Sequence, residues 1–358
     1  MKHITRLGLA ALVAISTQAA LLPAAQPRRA AALTVAPRAP YTHRVVVKTG
    51  QLGIEELFDG VSINDGGVVA AVGRTANGQI IVTGNGVDPA RKINPTYEAP
   101  QWVFDPSVDI NNDNKVVARM RQAGAPPTHR ILVWDATQSN VYQDIAFNVT
   151  HNMIGFGAYD SINNSGQVVF PYFGEGTDAG IATPVDSVIP SLNLYAAGTG
   201  TLRPVIADSG QIAFRGGSSA LSPIRLTAYD FSTGKVVADP PRFSAMGQMP
   251  GVGDHDIVGF YADLADPDGL ALPSATGPGV FAAVPNTFGG FYRYRIAGLA
   301  GNGALDPGET WSDLNDDGIL DPGEDQGFVS AFSPNAPVAM QRIIPGSDSF
   351  KMAFVASD

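Results

Sequence analysis

Residues 313–324 read Asp-Leu-Asn-Asp-Asp-Gly-Ile-Leu-Asp-Pro-Gly-Glu. This run fits the pattern D-x-[DN]-x-[DN]-G-x5-E at every required position. The side chains of Asp313, Asn315 and Asp317 alternate along the chain, so a curling backbone aims them at one centre. Gly318 permits the sharp bend, and the Ile319 carbonyl points inward after it. Asp321 contributes directly or through water, and Glu324 closes the set with both carboxylate oxygens. A hard cation that takes six to eight oxygens at flexible geometry suits such a set. Calcium is therefore the expected cofactor, with Asp313, Asn315, Asp317, Ile319, Asp321 and Glu324 as its ligands.

The flanks of this run constrain its role. Pro307 and Gly308 precede it and Gly327 follows, so long flanking helices are not expected. That favours a static structural site over a calcium-sensing opening motion. Asn302-Gly303-Ala304-Leu305-Asp306-Pro307-Gly308-Glu309 half-repeats the phrase, but Gly298 and Ala300 stand where its first two ligands belong. Residues 298–327 are read as one calcium-binding insertion, with a second ion at 298–309 left open. The run resembles the EF-hand-type and thrombospondin type 3 calcium repeats of secreted proteins.

Other reactive groupings have plainer explanations. Asp254-His255-Asp256 has the types of a metal or acid/base cluster, but Asp is also a turn former. Ser232-Thr233-Gly234-Lys235 matches the Ser-x-x-Lys of acyl-enzymes, yet it lacks the companion motifs and reads as a hairpin turn. His43, His129 and His151 are dispersed without zinc spacing. No phosphate-binding loop or nucleophile elbow is present. No catalytic residue is assigned. Trp102, Trp134 and Trp311 are expected in packing rather than as sugar platforms.

The elements that must position these residues come from a recurring phrase. It runs Ser62-Ile63-Asn64-Asp65-Gly66-Gly67-Val68-Val69, then Asp109-Ile110-Asn111-Asn112-Asp113-Asn114-Lys115-Val116. It returns as Ser161-Ile162-Asn163-Asn164-Ser165-Gly166-Gln167-Val168 and as Val205-Ile206-Ala207-Asp208-Ser209-Gly210-Gln211-Ile212. A worn copy begins at Val252, and Phe350–Phe354 matches the second half. The Ile ends one strand, Asn and Gly make a tight turn, and the β-branched residues open the next strand. Repeats of about 40–50 residues built from short strands predict an all-β β-propeller of about six or seven blades. A paired β-sandwich or a β-solenoid is the alternative. The segment Arg44–Lys48 is expected to pair with the last blade and close the ring. The turn residues Asn64, Asp65, Asn111, Asn112, Asn163, Asn164 and Asp208 are expected on one rim, where they could meet a polar ligand. The phrase resembles the NxxGxVxF-type tandem repeats of bacterial secreted proteins. That resemblance implies a propeller-like body and supplies no catalytic residues.

The chain has 358 residues, no cysteine and a net charge of −10. Zero cysteines exclude disulfides, zinc–thiolate sites and a cysteine nucleophile. Acidity argues against nucleic acid as a partner, because phosphate neutralisation needs a basic surface. Lys2, His3 and Arg6 precede the apolar run Leu7–Ile15 and a stretch of small residues. Residues 1–25 are therefore expected to be a signal peptide and 26–41 an Ala/Pro-rich linker. Residues 42–358 are expected to form the repeat domain, with no membrane span in the mature chain. The expected place is outside the cell or in the periplasm.

Two functions follow. The first is a secreted calcium-binding propeller that serves as a non-catalytic binding or structural module for an extracellular glycan or protein. The alternative is a secreted polysaccharide hydrolase or lyase, which would need two facing carboxylates with a basic neighbour in the central channel.

Overall fold

The computed structural model describes residues 45–297, except 125–126, 186–190, 198–201, 267, 269 and 271–275. It also describes 310–311, 325–326, 338–342 and 350–354. The chain is all-β, with only single-turn 3-10 segments between strands. The first blade contains Ile54–Ile63, Val69–Thr75, Gly78–Gly84 and Arg91–Lys92. The second contains Trp102–Phe104, Lys115–Gln122, Thr128–Asp135 and Tyr142–Phe147, and the third Gly155–Phe156, Val168–Phe173, Ala179–Pro184 and Leu192–Ala196. The fourth contains Val205–Ile206, Ile212–Arg215, Ile224–Thr227 and Gly234–Ala238, and the fifth Phe243–Met246, Val258–Leu264, Gly277–Pro285 and Phe291–Ala297. In blades two, three and five the innermost strand is split, and Asp109–Ile110, Ser161–Ile162 and Gly251–Val252 form its second half. Two hairpin-like pairs complete the described strands, Thr310–Trp311 with Asp325–Gln326 and Val338–Arg342 with Phe350–Phe354.

Each blade is a local antiparallel meander, with its strands paired in chain order. A sandwich of the Greek-key kind needs strands that cross between sheets, and none of these five does. The architecture is that of a β-propeller.

The recurring phrase closes its turn with the same backbone hydrogen bond five times. The N–H groups of Asn64, Asn111, Asn163, Ala207 and Gly253 donate to the carbonyls four residues on, at 2.9–3.1 Å. The residue three places along lies in the left-handed region every time: Gly67, Asn114, Gly166, Gly210 and Asp256. Glycine takes this conformation without steric cost, and Asn and Asp tolerate it best among the others. This is why Asn114 substitutes for glycine in the second copy. It is also why Asp254-His255-Asp256 closes the fifth turn.

Alternate residues of each inner strand face different neighbours. Val116 and Ala118 join Ala70, Val72 and Ile81 of the first blade in one apolar cluster. Val117 points the other way, into a cluster with Phe156, Val168 and Phe170 of the third blade. Val169 and Ile181 then meet Ile206, Ile212 and Phe214 of the fourth. Ala213 and Leu226 meet Val258, Phe260 and Phe281 of the fifth. Both faces of each blade are buried, so the strands read as continuous apolar runs rather than alternating ones. Each fully buried Val, Ile or Phe contributes roughly 1.5–3 kcal/mol.

One expectation is overturned. Residues 45–48 form no strand. Val47 instead packs against Ile54, Ala71, Ile80 and Val82 on the first blade's other face. Residues 1–25, 26–41 and Arg44 lie outside the described residues, as does most of 298–327.

Candidate functional site

The six expected calcium ligands, Asp313, Asn315, Asp317, Ile319, Asp321 and Glu324, lie outside the described residues, and so does 298–309. What the structure describes is the frame around them. Thr310 pairs with Gln326 and Trp311 with Asp325, antiparallel. Strands, not helices, therefore lead into and out of 312–324. Paired strands hold their Cα atoms roughly 4.5–5.5 Å apart, so the base of this segment is closed. A closed base lowers the entropy cost of gathering ligands from its two ends.

The turn residues do gather on one rim, but their polar atoms are already engaged. Asn64 Nδ2 donates to the Asn111 carbonyl at 2.9 Å. Asn111 Nδ2 donates to the Asn163 carbonyl at 2.9 Å, and Asn163 Nδ2 to the Ala207 carbonyl at 3.0 Å. The Oδ1 of each Asn accepts the N–H four residues on within its own turn, at 2.9 Å. Beside this runs a second row. Asn112 Oδ1 accepts the Asp65 N–H, Asn164 Oδ1 the Asn112 N–H, and Asp208 Oδ1 the Asn164 N–H, at 2.7–2.8 Å. These rows stitch four blades together. Only a side chain that both accepts and donates can do this, which explains asparagine at the first position.

Beside these rows sits a half-buried carboxylate. Asp109 Oδ1 accepts from Ser62 Oγ at 2.7 Å, and its Oδ2 accepts from Ser161 Oγ at 2.9 Å. The N–H groups of Ile110 and Ile162 also donate to it. Burial pushes its carboxyl up from the usual value, against the pull of these donors. Asp160, 8% exposed, differs. Its Oδ1 has no hydrogen-bond partner. Burial first, and the nearby Asp105 charge second, hold this carboxyl well above the usual range, while Arg119 pulls it down. Arg119 itself is an ion-pair partner of Asp105 and donates to the Phe156 carbonyl. Sequence reasoning missed this group. The available signal was a misfit: Asp160 aligns with Val61, Val108 and Pro204 of the other copies, and Asp109 with Ser62 and Ser161.

The remaining candidates resolve as packing or turns. His129 Nδ1 accepts the Phe156 N–H at 3.2 Å, and burial with the Arg119 charge lowers its pKa. Asp230 Oδ1 accepts from both the N–H and Oγ of Ser232, the mark of a side-chain-capped turn. Trp134 is fully buried, edge-on to Phe104 and Tyr97. Trp102 stands edge-on to Tyr97. Among the described residues no group of three or more His, Cys, Asp or Glu could hold a metal ion.

Clefts open at the junctions between blades. A cleft of about 150 Å³ lies between the first two blades, lined by Thr83, Arg91, Asn114 and Ala136. One of about 410 Å³ lies between the second and third, with Ile145, Val133 and Ile162 as its apolar lining and Lys115, Asp135 and Tyr142 beside them. Burial raises the Asp135 carboxyl, but hydrogen bonds from Thr137 and the Lys115 ammonium outweigh it and set it at about 2.

No family model matches this chain. No curated protein matches it significantly. Among solved structures it is similar to a protein assigned as TolB from Agrobacterium tumefaciens, at 14% identity and a TM-score of 0.44, covering 84% of this chain and 91% of that one. It is also similar to an oligogalacturonate lyase in complex with manganese, at 11% identity and a TM-score of 0.48, covering 85% and 90%. A Hadza microbial sialidase matches at 10% identity and a TM-score of 0.40, covering 81% and 61%. The propeller architecture itself rests on the sheet order and the apolar junctions. Among the described residues no helix is long and apolar enough to cross a membrane.

Proposed function

We propose that this chain is an exported, calcium-stiffened β-propeller that acts as a non-catalytic binding module for an extracellular glycan or protein. The observation that carries this reading is how the inner carboxylates are used. Asp109 is filled by four donors and Asp105 is paired with Arg119. Glycoside hydrolysis in its usual form needs two carboxyl groups free to meet a substrate. Among these three, Asp160 Oδ1 accepts no hydrogen bond, and burial holds its carboxyl well above the usual range.

Calcium belongs to the same reading. Asp313, Asn315, Asp317, Ile319, Asp321 and Glu324 supply the oxygens, and the 310–311/325–326 strand pair closes the base of the segment. The ion's part is rigidity, because strand-held flanks leave no helix pair to swing open. Thermal unfolding with calcium and with chelator tests this. Calcium is expected to raise the Tm of the purified protein, and Asp313→Ala with Glu324→Ala to abolish the shift. A full shift in the double variant would place the ion elsewhere. Glycan-array binding in both conditions tests the binding role.

A further inference from the structure

We infer that the inner strand of the first blade is a docking face for the C-terminal hairpin of this same chain, residues 338–354, which closes the ring as a sixth blade. This goes beyond the binding-module reading and does not depend on it.

The described junctions follow one rule. The apolar residue that ends each inner strand packs on the blade before it. Ile110 joins Ala70 and Ile81 of the first blade, and Ile162 joins Val117 and Ile131 of the second. Ile206 joins Val169 and Ile181 of the third, and Val252 joins Ala213 and Ile224 of the fourth. All four are 5% exposed. Ile63 holds the same place in the first blade, yet it is 65% exposed. Two residues back, Val61 is 60% exposed, whereas its counterpart Val108 is 7% exposed. The rest of that face is covered, because Val47 packs against Ile54, Ala71, Ile80 and Val82. Among the described residues no blade precedes the first, so Val61 and Ile63 lack the neighbour that every later copy has.

The far end of the row points to that neighbour. In the fifth blade Tyr261, Val280 and Ala282 are buried but stand outside the cluster shared with the fourth. The strand Val338–Arg342 lies against Gly251–Val252 and Val258–Leu264 of this blade, where a sixth blade belongs. It pairs antiparallel with Phe350–Phe354, with Met340 opposite Met352 and Ala339 opposite Ala353. In the fourth blade Ile206 stands opposite Ile212 and Val205 opposite Ala213 in the same way. Met352-Ala353-Phe354 also follows the pattern of Ile212-Ala213-Phe214. By register, Met340 takes the place of Ile206, and Ala353 the place of Ala213, which receives Val252. Ala353 is therefore the counterpart that Ile63 lacks. Closing the ring takes two β-branched side chains out of water, and that apolar burial drives the docking.

The chain has no cysteine, so an introduced thiol reports alone. In the whole protein, Ile63→Cys is expected to react with a maleimide at least roughly tenfold more slowly than Phe288→Cys, at a position 88% exposed. The rate should not change with protein concentration. Adding Ala353→Arg should restore fast labelling at position 63, while Ile206→Cys in the same background stays protected. Should Ala353→Arg expose both thiols by unfolding the chain, the double variant Ile63→Cys with Ala353→Cys decides. Mild oxidation is expected to join its two thiols within one molecule, as a linked peptide pair in mass spectrometry. Labelling of Ile63→Cys as fast as Phe288→Cys overturns the inference. Protection that grows with protein concentration also overturns it, and gives the face to a second copy. Protection that survives Ala353→Arg, or a double variant that stays unlinked, overturns it in favour of another segment.

Discussion

The first four blades and the junction between the fourth and fifth are held by different physics. From the first to the fourth, each turn passes a hydrogen bond to the next through an asparagine amide. At the fourth turn the asparagine is replaced by Ala207, and the fifth turn carries Gly253. No side-chain amide is available there; Ser209 Oγ donates to Asp256 Oδ1 at 3.1 Å and Arg215 Nη1 to the Met246 carbonyl at 3.0 Å, beside a larger apolar cluster. It runs from Ala207 and Leu226 through Phe243, Phe260 and Phe281 to Phe291. Phe243 stands edge-on to Phe260 and to Phe281, while Phe260 and Phe281 stack. A polar stitch fixes register, because a one-residue slip breaks every bond. An apolar cluster fixes proximity and tolerates changed turn chemistry.

The contrast can be broken most strongly on the apolar side. Phe260→Ala removes a fully buried ring from that cluster and should lower unfolding free energy by about 3–5 kcal/mol in denaturant titrations. On the polar side, Asn111→Ala deletes the acceptor for the Lys115 N–H and the donor to the Asn163 carbonyl. The Lys115 N–H loses this acceptor while the Asn163 carbonyl keeps the Gly166 N–H, and a loss of about 1–3 kcal/mol is expected. Gly253→Ala, where φ is extended, lacks this penalty and serves as the control.

Asp160 sharpens the comparison through pH. Its carboxyl is raised in the folded state, so folding takes up a proton wherever the unfolded chain is ionised. Its contribution is fully present below the ordinary value of 3.8 and is lost as pH rises through the higher folded value. Asp160→Asn should therefore stabilise the protein at neutral pH, by about 1–3 kcal/mol. The advantage should shrink toward zero below about pH 4. A pH-independent difference would show that the carboxyl is ionised in the fold. The smallest effect is expected for Asn114→Gly. It relieves a φ of 58° but removes the Oδ1 that accepts from Asn64 at 3.0 Å. The two changes oppose, and the net should stay below about 1 kcal/mol.

Much of the body was legible because the turn imposes strict local chemistry. The left-handed position restricts its occupant to Gly, Asn or Asp, and the sequence displays this at Gly67, Asn114, Gly166, Gly210 and Asp256. The β-branched residues after each turn mark strands buried on both faces. The Arg44–Lys48 strand was misread for the same reason. A run such as Val45-Val46-Val47 satisfies strand preference and apolar wall-packing equally well, and only the neighbouring cluster decides.

The sequence by itself determined the turn wherever it recurs, and the residue types and their order at 313–324. Each of these depends on residues within a dozen positions of one another. Only the tertiary structure decided where the polar groups spend their hydrogen bonds. Asn64 and Asn111 are far apart in the chain, and nothing local says that one donates to the other. The same holds for the Ser62–Asp109–Ser161 bridge and for the raised carboxyl of Asp160 beside Arg119. Burial and partnership are properties of neighbours in space. A residue's type states what it can donate or accept, and packing alone states whether the partner arrives.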